Sequence, residues 1–465
     1  MKASQIHINL PLGKEPARRY DMALDVKTKD EVFAAIDKYD VRFVRLWFTD
    51  ILGIPKSFSI NSKELEGAFD EGMGFDGSSI QGFARIDESD MVAKPDPTTF
   101  QLLPWRPQEK AVARMFVDVL NPDGTPYEGD PRQVLKKNLG RLNDKGYTYN
   151  VGPELEFFYF KDDQGTEPLD KGGYFDLTTL DNASDLRRDT VLALDDMGIY
   201  VEFSHHEVAP SQHEIDLRFM DALKMADALV TQKIVVKEIA QKYGYYATCM
   251  PKPIFGQNGS GMHVHQSLFK GNKNVMFDAG DQYNLSDEAK WYIAGLLHHA
   301  PEITAICNQW VNSYKRLVPG YEAPVYICWA RRNRSALVRV PMYKPGKEKA
   351  TRVEFRSPDP GANPYLAFSV MLAAGLAGIS NKYELPAPQE KDIFELSAAE
   401  KMAAGIGSLP GSLNEAIGIT QNSKLVKEAL GEHVFSAFIE NKTKEWDSYR
   451  IQITNWELER YLPLL

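Results

Sequence analysis

The segment NVGPELEFFYF, residues 150–160, constrains the fold more than any other part of the sequence. Successive side chains of a β-strand point to opposite faces, so Glu154 and Glu156 lie on one face about 7 Å apart. Phe158 and Phe160 lie on the same face. The exposed face of an antiparallel sheet would explain an isolated pair of glutamates. Two carboxylates beside two phenylalanines instead indicate a partly buried acidic pair, which is costly unless a cation neutralises it.

The segment 121–131, NPDGTPYEGDP, carries the strongest domain-boundary signal. It holds three prolines and two glycines in eleven positions, a composition typical of a connecting loop. We therefore predict four parts of the chain, namely an N-terminal arm at 1–25, a small domain at 26–121, a linker at 122–131 and a large domain at 132–465.

Helical and strand patterns are mixed along the chain. The spacing of apolar residues predicts a strand at 41–50 and helices at 30–40, 220–243, 286–307 and 363–383. This pattern is typical of the α+β class, since it lacks the regular alternation of a doubly wound sheet. The most apolar stretch, 365–379, has 15 residues and is too short to span a bilayer, so we predict a buried helix.

Composition excludes several classes of partner. The 54 basic and 64 acidic side chains give a net charge of −10, which provides no basic field for nucleic acid. Cys249, Cys307 and Cys328 form no CxxC pair and no disulfide framework, which favours a reducing compartment. The first residues contain no apolar core of signal-peptide length. We expect a cytoplasmic protein that binds neither nucleic acid nor a membrane.

Two nucleotide-binding motifs fail in this sequence. Gly72, Gly74 and Gly77 satisfy the spacing G-x-G-x-x-G, but no apolar strand precedes them and no helix follows to receive a pyrophosphate. The P-loop pattern G-x-x-x-x-G-K-[ST] does not occur. Any ATP site therefore has another architecture.

The segment 204–219, SHHEVAPSQHEIDLRF, adds Glu207 and Glu214 to the acidic residues. Pro210 between them disfavours a continuous helix, so a strand, a turn and a second strand would bring the two carboxylates together. His205, His206 and His213 lie in the same segment and are either ligands or structural groups.

Two further segments carry chemically active side chains. NGSGMHVHQSLF, residues 258–269, runs from a glycine loop into a strand that puts His263 and His265 on one face. RVEFRSPDP similarly places Arg352, Glu354 and Arg356 on one face, either as a surface ladder or as a site for phosphate and metal together.

The types of side chain available as metal ligands indicate which metal ions could bind. Oxygen-rich segments with one or two histidines and no cysteine ligand favour Mg²⁺ or Mn²⁺ over structural zinc. Basic side chains supply what a triphosphate or a transferring phosphoryl group requires, and these are Arg334, Arg339, Lys349, Arg352 and Arg356. The residues thus indicate a metal-dependent phosphoryl-transfer enzyme without naming its substrate.

The chain resembles the type I, bacterial and archaeal, glutamine synthetase family from about Val41 to its C-terminus. The resemblance rests on segments that occur in the family's order: FDGSSI, GPELEFF, HHEVAPSQHEI, NGSGMHVHQS, NSYKRLVPGYEAP, RNRSALVR and RVEFRSPDPGANPYLA. It implies a small N-terminal β-grasp domain and a large catalytic domain with a curved antiparallel sheet flanked by helices. It also implies a homododecamer of two stacked hexameric rings, in which Asp50 completes a neighbour's active site.

The resemblance assigns roles to individual residues. Two or more Mg²⁺ or Mn²⁺ ions are expected per site, one held by Glu156, Glu207 and Glu214 and another by Glu154, His263 and Glu354. His265 is not a direct ligand in the family pattern. Glutamate and the phosphoryl group are expected to contact Asn258, Gly259, Arg316, Arg334 and Arg356. ATP is expected to contact Glu202, Phe219, Arg339, Lys349 and Arg352.

The implied reaction is nitrogen assimilation by an ATP-dependent ligase. Attack of the γ-carboxylate of glutamate on the terminal phosphate of ATP gives γ-glutamyl phosphate, and ammonia then displaces the phosphate to give glutamine. Metals and arginines offset the repulsion between the two anions, with Arg334 on the phosphoryl group. Asp50, Tyr174, Glu207 and Glu322 match the ammonium pocket, and Glu322 lies in a loop that closes over it.

Departures from the family pattern point to the alpha subtype, which is not adenylylated. The segment DIFELS has Phe394 where an adenylylated enzyme carries tyrosine, and no insertion separates the E-x-E strand from KGGY. In this subtype an arginine after FDGSS takes part in feedback inhibition by glutamine, and Arg85 matches it. Ser211 occupies a position where the family usually has glycine.

Three alternative functions remain at this point. A γ-glutamyl ligase for methylamine or a polyamine would use the same chemistry with a remodelled amine pocket. A catalytically inactive ring protein would have lost metal ligands, whereas all six matched ligands are present. A metal-dependent phosphohydrolase would cleave ATP without glutamate or amine.

Overall fold

The computed structural model describes residues 23–80, 82, 90–321, 323–342, 346–391 and 393–465. The elements of the N-terminal part are α1 Lys29–Lys38, β1 Phe43–Thr49, β2 Pro55–Asn61, α2 Leu65–Asp70, β3 Met73–Asp76, β4 Asp90–Pro95, β5 Gln101–Leu102 and β6 Val112–Leu120. The predicted helix at 30–40 and strand at 41–50 correspond to α1 and β1. A capping box between Thr28 and Glu31 fixes the start of α1.

The N-terminal strands form one sheet in the order β2-β1-β6-β4-β3, with β5 beside β6. Strand β1 runs parallel to β6 and antiparallel to β2. The first and the last long strands of this part, β1 and β6, therefore lie side by side near the centre of the sheet. Alternate residues such as Val44, Leu46 and Met115 are buried in a core of their own. The arrangement is that of the β-grasp domain implied by the resemblance.

The larger part of the chain follows. Its strands are β7 Thr148–Phe160, β8 Val201–His206, β9 Gln212–Leu217, β10 Met220–Asp221, β11 Tyr246–Thr248, β12 Met262–Lys270, β13 Lys273–Asn274, β14 Tyr326–Ala330, β15 Ala336–Arg339, β16 Val353–Phe355 and β17 Gly407–Ser408. Its helices are α3 Pro131–Asn143, α4 Ser184–Asp195, α5 Ala222–Lys242, α6 Asp287–Cys307, α7 Ser313–Arg316, α8 Pro364–Asn381, α9 Ala398–Ala403, α10 Leu413–Thr420, α11 Lys424–Leu430, α12 Glu432–Arg450 and α13 Asn455–Tyr461.

The second sheet has the strand order β17-β14-β15-β16-β12-β7-β9-β8, with β10 and β11 beside β7 and β13 beside β12. The expected antiparallel pairing holds along this curved sheet, except that β14 and β15 are parallel and make it a mixed sheet. The α+β class is thus confirmed. Strand β7 lies near the middle, and its glutamates lie between the two neighbouring strands that supply the other site residues.

Helix α8 is the buried helix that the apolar stretch at 365–379 predicts. In the described part of the chain it is the one helix long and apolar enough to cross a membrane by length and composition, and 67% of it is buried inside the protein. It packs against α6 at glycine positions. A Cβ atom at Gly378 would lie 2.0 Å from the Trp291 carbonyl oxygen, so only glycine permits this approach. We therefore assign α8 to the core.

A buried guanidinium connects the two parts of the chain. Arg132, at the start of α3, donates to Asp118 of β6 at 2.6 Å and to Asp96, which follows β4, at 2.8 Å. It also donates to Asp227 of α5 at 3.1 and 3.0 Å. Asp227 in turn accepts a hydrogen bond of 2.6 Å from the hydroxyl of Tyr365 in α8. The N-terminal sheet is thereby joined to the helices that support the larger sheet.

Candidate active site

A cavity opens above β7 and brings together most of the predicted residues. It is lined by Glu154, Glu156, Tyr174, Glu207, Glu214, Asn258, Gly259, His263, Arg316, Arg334, Arg339 and Arg356, among others. A second cavity shares Glu154 with the first. It is lined by the residues predicted for the nucleotide, namely Glu202, Phe219, Lys349 and Arg352.

Strand register explains why these side chains meet. On one side of β7, Glu156 lies opposite Glu214 of β9, and on the other side Glu154 lies opposite His263 of β12. Glu207 follows β8, and the predicted strand, turn and strand carry it back toward Glu214. Two groups of potential ligands therefore form around the two glutamates of β7.

The first group consists of Glu156, Glu207 and Glu214. Burial and the carboxylates of Glu207 and Glu214 raise the pKa of Glu156 well above its ordinary value. Its Oε2 atom accepts hydrogen bonds of 2.9 Å from the backbone N–H of Gly261 and from the side chain of Gln212. Three crowded carboxylates with one such oxygen already fixed in place suit a hard divalent cation.

The second group consists of Glu154, His263 and Glu354. The Nδ1 atom of His263 lies 3.0 Å from Glu154 and 3.9 Å from Glu354. Burial and the nearby Arg356 lower the pKa of His263, and a neutral imidazole is the form that binds metal. This group also fits Mg²⁺ or Mn²⁺, because its donors are carboxylate oxygens and one imidazole nitrogen.

Glu354 lies between two guanidiniums. It is fully buried, and both Arg339 and Arg356 donate to its carboxylate. Burial alone would raise its pKa, but Arg356 and His265 lower the pKa of Glu354 to about 2. The carboxylate is therefore kept ionised, as a cation ligand must be.

His265 connects the two cavities. Its Nε2 atom lies 2.6 Å from Glu154, and its Nδ1 atom accepts a hydrogen bond of 3.2 Å from Nε of Arg352. The guanidinium donates to Nδ1, so Nε2 carries the proton and donates to Glu154. His265 therefore orients the Glu154 carboxylate, and the statement that His265 is not itself a ligand stays a prediction.

The basic side of the cavity is rigidly built. Arg316 is 4% exposed, and burial lowers its pKa. Its Nη1 atom donates at 2.6 Å to the Ser357 carbonyl oxygen. A Cβ atom at Gly261 would lie 2.6 Å from Nη2 of Arg316, so the glycine loop predicted around Asn258 allows this close contact. The guanidinium is thus already oriented toward the carboxylates.

Asp50 is a predicted site residue that the structure describes outside both cavities. Asp50 lines neither cavity in the described part of its own chain; its carboxylate accepts from Leu52 and Ile54 N–H groups at 2.9 Å and lies 3.4 Å from Lys56. Burial raises the pKa of Asp50. Asp50 is 2% exposed, and its role in a neighbour's site stays a prediction. Glu322 and Arg85 lie outside the described residues.

Sequence reasoning missed Asp216. It is 4% exposed and lies opposite Glu154 in the β7–β9 register. Burial and the charges of Glu214 and Glu154 raise the pKa of Asp216 to about 11. Asp216 is two residues after Glu214 in a predicted strand, so the same alternation that grouped Glu154 with Glu156 would have found it.

The two groups of metal donors on one sheet, beside a second cavity with basic side chains, define a metal-dependent enzyme that handles phosphoryl groups. Two family models match the chain: "Glutamine synthetase, beta-Grasp domain" at residues 40–122 and "Glutamine synthetase, catalytic domain" at residues 128–461. The chain therefore belongs to the glutamine synthetase family.

Relatives support this assignment along nearly the whole chain. The glutamine synthetase of Methanosarcina mazei is 56% identical over 442 residues, covering 94% of this chain and 98% of that protein. That of Mycolicibacterium smegmatis is 53% identical over 444 residues, covering 94% of this chain and 100% of that protein. The predicted family and enzyme class are confirmed.

Solved structures show the same fold. A Plasmodium falciparum glutamine synthetase aligns with a TM-score of 0.85 at 26% identity, over 94% of this chain and 99% of that one. A GmaS/ADP complex aligns with a TM-score of 0.85 at 31% identity, over 92% of this chain and 99% of that one. ATP-dependent formation of glutamine with Mg²⁺ or Mn²⁺ is the function of the family. Among the described residues near the cavity, potential ligand atoms lie within 4.8 Å of one another in two sets, Glu154 with His265 and Glu354, and Glu214 with His205 and Asp216.

Proposed function

We propose that the two groups of donors hold two divalent cations, and that this chain makes glutamine from glutamate, ammonia and ATP at the cavity above β7. The observation that carries the proposal is the division of Glu154 and Glu156 between the two groups. Glu156, Glu207 and Glu214 hold one cation, and Glu154, His263 and Glu354 hold the other. Bound cations supply charge neutralisation for the reacting phosphoryl group.

Substrate binding is assigned to the basic side of the cavity. Arg316, Arg334 and Arg356, with Asn258 and Gly259, bind glutamate and the phosphoryl group, because they line the same cavity as the carboxylates. Glu202, Phe219, Lys349 and Arg352 line the adjoining cavity and bind the nucleotide. Arg339, which is also assigned to the nucleotide, lines the first cavity instead. The γ-carboxylate of glutamate and the terminal phosphate of ATP then meet near Glu154, which lines both cavities.

Ammonium binding is assigned to Tyr174 and Glu207, joined by Asp50 from a neighbouring subunit and by Glu322. Burial and the nearby Glu207 raise the pKa of the Tyr174 hydroxyl, which keeps it a neutral hydrogen-bonding group. The Glu207 carboxylate attracts ammonium and accepts its proton, while the oxygen of the Tyr174 hydroxyl accepts a hydrogen bond from it. Glu322 closes the pocket against water, and Arg334 stabilises the charge on the phosphoryl group.

The assembly is a homododecamer of two stacked hexameric rings. Two observations support this proposal. Asp50 reaches no cavity of its own chain among the described residues, so its catalytic role requires a neighbour. The C-terminal segment also exposes a group of large apolar side chains, which marks a protein interface, and it includes Ile451, Ile453, Trp456, Leu462, Leu464 and Leu465.

The remaining assignments follow the family. The chain is a type I enzyme of the non-adenylylated alpha subtype, acts in the cytoplasm, and uses Arg85 in feedback inhibition by glutamine. Its parts are an arm at 1–25, a β-grasp domain at 26–121, a linker at 122–131 and a catalytic domain at 132–465. Most buried apolar residues of 26–121 form a core of their own, which supports a division near the linker, although Trp47, Ile51, Leu103 and Phe116 pack into the core of the larger part.

Competition between amines tests the proposed substrate. ATP turnover is measured with glutamate plus ammonium, and in parallel with glutamate plus methylamine or putrescine at matched concentrations. We expect ammonium to give the highest kcat/KM, with no turnover when glutamate is omitted. Faster turnover with an organic amine would assign the chain to another γ-glutamyl ligase, and ATP hydrolysis without glutamate would reject ligation altogether.

A further inference from the structure

A buried hydrogen-bonded cluster lies directly behind the cavity and belongs to neither group of metal donors. It joins the loop before α4 to the turn between β8 and β9. Its central residues, Asp170, His206 and Ser211, are 6%, 1% and 0% exposed. Of the described residues that line the cavity, none is a member of this cluster. The adjoining residues Tyr174 and Glu207, however, both line it.

His206 contacts both segments at once. Its Nδ1 atom lies 2.7 Å from the Glu207 carbonyl oxygen, and its Nε2 atom lies 3.0 Å from Oδ1 of Asp170. Its own carbonyl oxygen accepts a hydrogen bond of 3.1 Å from the N–H of Phe175. One side chain and one carbonyl group therefore fix the backbone on either side of Tyr174 and Glu207.

Ser211 completes the contact from the other side of the turn. Its N–H donates at 2.8 Å to Oδ1 of Asp170, and its hydroxyl oxygen accepts at 2.5 Å from the N–H of Leu169. Ser211 has a φ of +59°, a conformation that favours glycine, and these hydrogen bonds offset its cost. The hydroxyl explains why serine is acceptable at this position.

Gly172 shows how closely the loop approaches the cluster. A Cβ atom there would lie 2.6 Å from Nε2 of His206. The loop that carries Tyr174 can therefore lie against His206 only because residue 172 has no side chain.

The cluster is not a metal site, although Asp170, His206 and His213 place potential ligand atoms within 4.8 Å of one another. Both nitrogens of His206 face oxygen acceptors. Nδ1 of His213 lies 2.8 Å from the guanidinium of Arg187, which is itself paired with Asp181. A fixed positive charge in contact with a ligand opposes a second cation, so hydrogen bonding is the function of these side chains.

We propose that Asp170, His206 and Ser211 are positioning residues that hold Tyr174 and Glu207 in place and thereby set the affinity for ammonium. This inference rests on the proposed ammonium-binding role of those two residues. The ring of Tyr174 stacks on Phe175 with centroids 4.1 Å apart and meets His205 edge-on at 5.4 Å. Removing the His206 side chain leaves the backbone bond from Phe175 in place but deletes the contacts with Asp170 and Glu207 that fix the His206 carbonyl, so the Tyr174 ring is expected to shift.

The test compares His206→Ala with a matched control far from the cavity. His299 of α6 lies 2.8 Å from Glu302, which also accepts from the hydroxyl of Ser423, so this trio repeats the histidine, carboxylate and serine chemistry. Both alanine variants are expected to lower the melting temperature. His206→Ala should raise KM for ammonium about tenfold, which is the usual effect of removing a side chain that orients a binding residue. His299→Ala should leave KM for ammonium unchanged. KM for ATP should stay within about twofold in both variants.

Two milder variants decide the matter if His206→Ala does not fold. Ser211→Ala removes only the hydroxyl and should raise KM for ammonium about threefold, and His206→Gln keeps one donor and should restore part of the affinity. An unchanged ammonium KM in folded His206→Ala or Ser211→Ala would overturn the positioning role while leaving glutamine synthesis intact. Absence of glutamine synthesis in the wild-type protein would instead overturn the proposed function, and this inference with it.

Discussion

Arg132 provides the most informative perturbation of the fold, because one guanidinium holds three aspartates from both parts of the chain. Its side chain is 4% exposed, and those of Asp227, Asp96 and Asp118 are 10%, 19% and 20% exposed. Arg132→Met keeps the apolar stem of the side chain and removes every donor. The variant therefore isolates the ionic contribution from the packing contribution.

The expected loss of stability depends on the hydrogen-bonding partners that each aspartate keeps in Arg132→Met. Asp118 keeps Lys136 at 2.5 Å, and Asp96 keeps Thr98 at 2.7 Å and is nearer to water. Within the described part of the chain, the Asp227 carboxylate keeps one hydrogen-bonding side chain, the Tyr365 hydroxyl, so Asp227 bears most of the loss. Removing one partner of a buried ion pair costs about 3–5 kcal/mol, and we expect a decrease of this size in the free energy of unfolding at pH 7.

Urea unfolding of the two proteins, followed by circular dichroism, measures the difference. Burial raises the pKa of Asp96, but Arg132 and the hydrogen bonds from Thr98 together outweigh burial, and the pKa of Asp96 is lowered from its ordinary value. A carboxyl group whose pKa is lower in the folded protein stabilises the fold at pH values above its pKa in the unfolded chain, and this stabilisation is lost as the pH falls. The difference in free energy of unfolding between the wild-type protein and Arg132→Met should therefore become smaller toward pH 3.

A double variant supplies the control. Arg132→Met with Asp227→Leu removes the unpaired charge as well, and it should recover more than half of the lost stability. A loss below about 1 kcal/mol in the single variant, or no recovery in the double variant, would refute the reasoning that this pair is a buried electrostatic connection.

Three further changes test other parts of the molecule. Glu354→Gln, measured in EDTA, should lower the free energy of unfolding at pH 7 by about 3 kcal/mol, because the pKa of Glu354 is about 2 in the folded protein against an ordinary 4.5. This loss should shrink as the pH falls below 4.5. A loss that does not depend on pH would contradict the conclusion that Glu354 is held ionised in the folded protein. Glu156→Ala should weaken Mn²⁺ binding at least tenfold by titration calorimetry, and an unchanged affinity would remove it from the ligands. Gly378→Ala should destabilise the protein by about 1–3 kcal/mol in urea unfolding, because the new methyl group would collide with the Trp291 carbonyl oxygen. Gly418→Ala in α10 is the matched control: a Cβ atom there would have no neighbouring atom within 4 Å, so this variant should be neutral or stabilising.

Local patterns were sufficient for the four predicted helices and for the first pair of glutamates, whereas helices such as α3, α4 and α12 were not predicted. The helix predicted at 286–307 starts within one residue of α6, because Ser286 caps it by accepting from the N–H of Ala289. The helix predicted at 363–383 corresponds to α8. It begins after Asn363, whose side chain accepts from the N–H of Tyr365, and it ends at Asn381, two residues before the predicted end. Glu154 and Glu156 share a face for reasons that lie within a single strand.

Features that depend on strand register and long-range contact were not visible in the sequence. Alternation places Asp216 on the same face as Glu214, but its position opposite Glu154 depends on the register in which β9 pairs with β7. Arg132 and Asp227 are 95 residues apart in the chain and meet through the packing of α3 on α5. Ser211 was recognised as unusual, but its contact with Leu169 requires knowing where the loop before α4 lies. In each case the missing information was the position of a distant segment.

Strand β7 sets the distance between the two groups of donors. Glu154 and Glu156 are two residues apart, so the rise of the strand separates their Cα atoms by about 7 Å, and each glutamate meets a different neighbouring strand. A one-residue shift of β7 would turn both carboxylates to the opposite face and destroy both groups together. Phe157 and Tyr159, which occupy the opposite face and are fully buried, oppose such a shift. The apolar core of the larger part of the chain therefore also fixes the spacing at which two cations can act on one phosphoryl group.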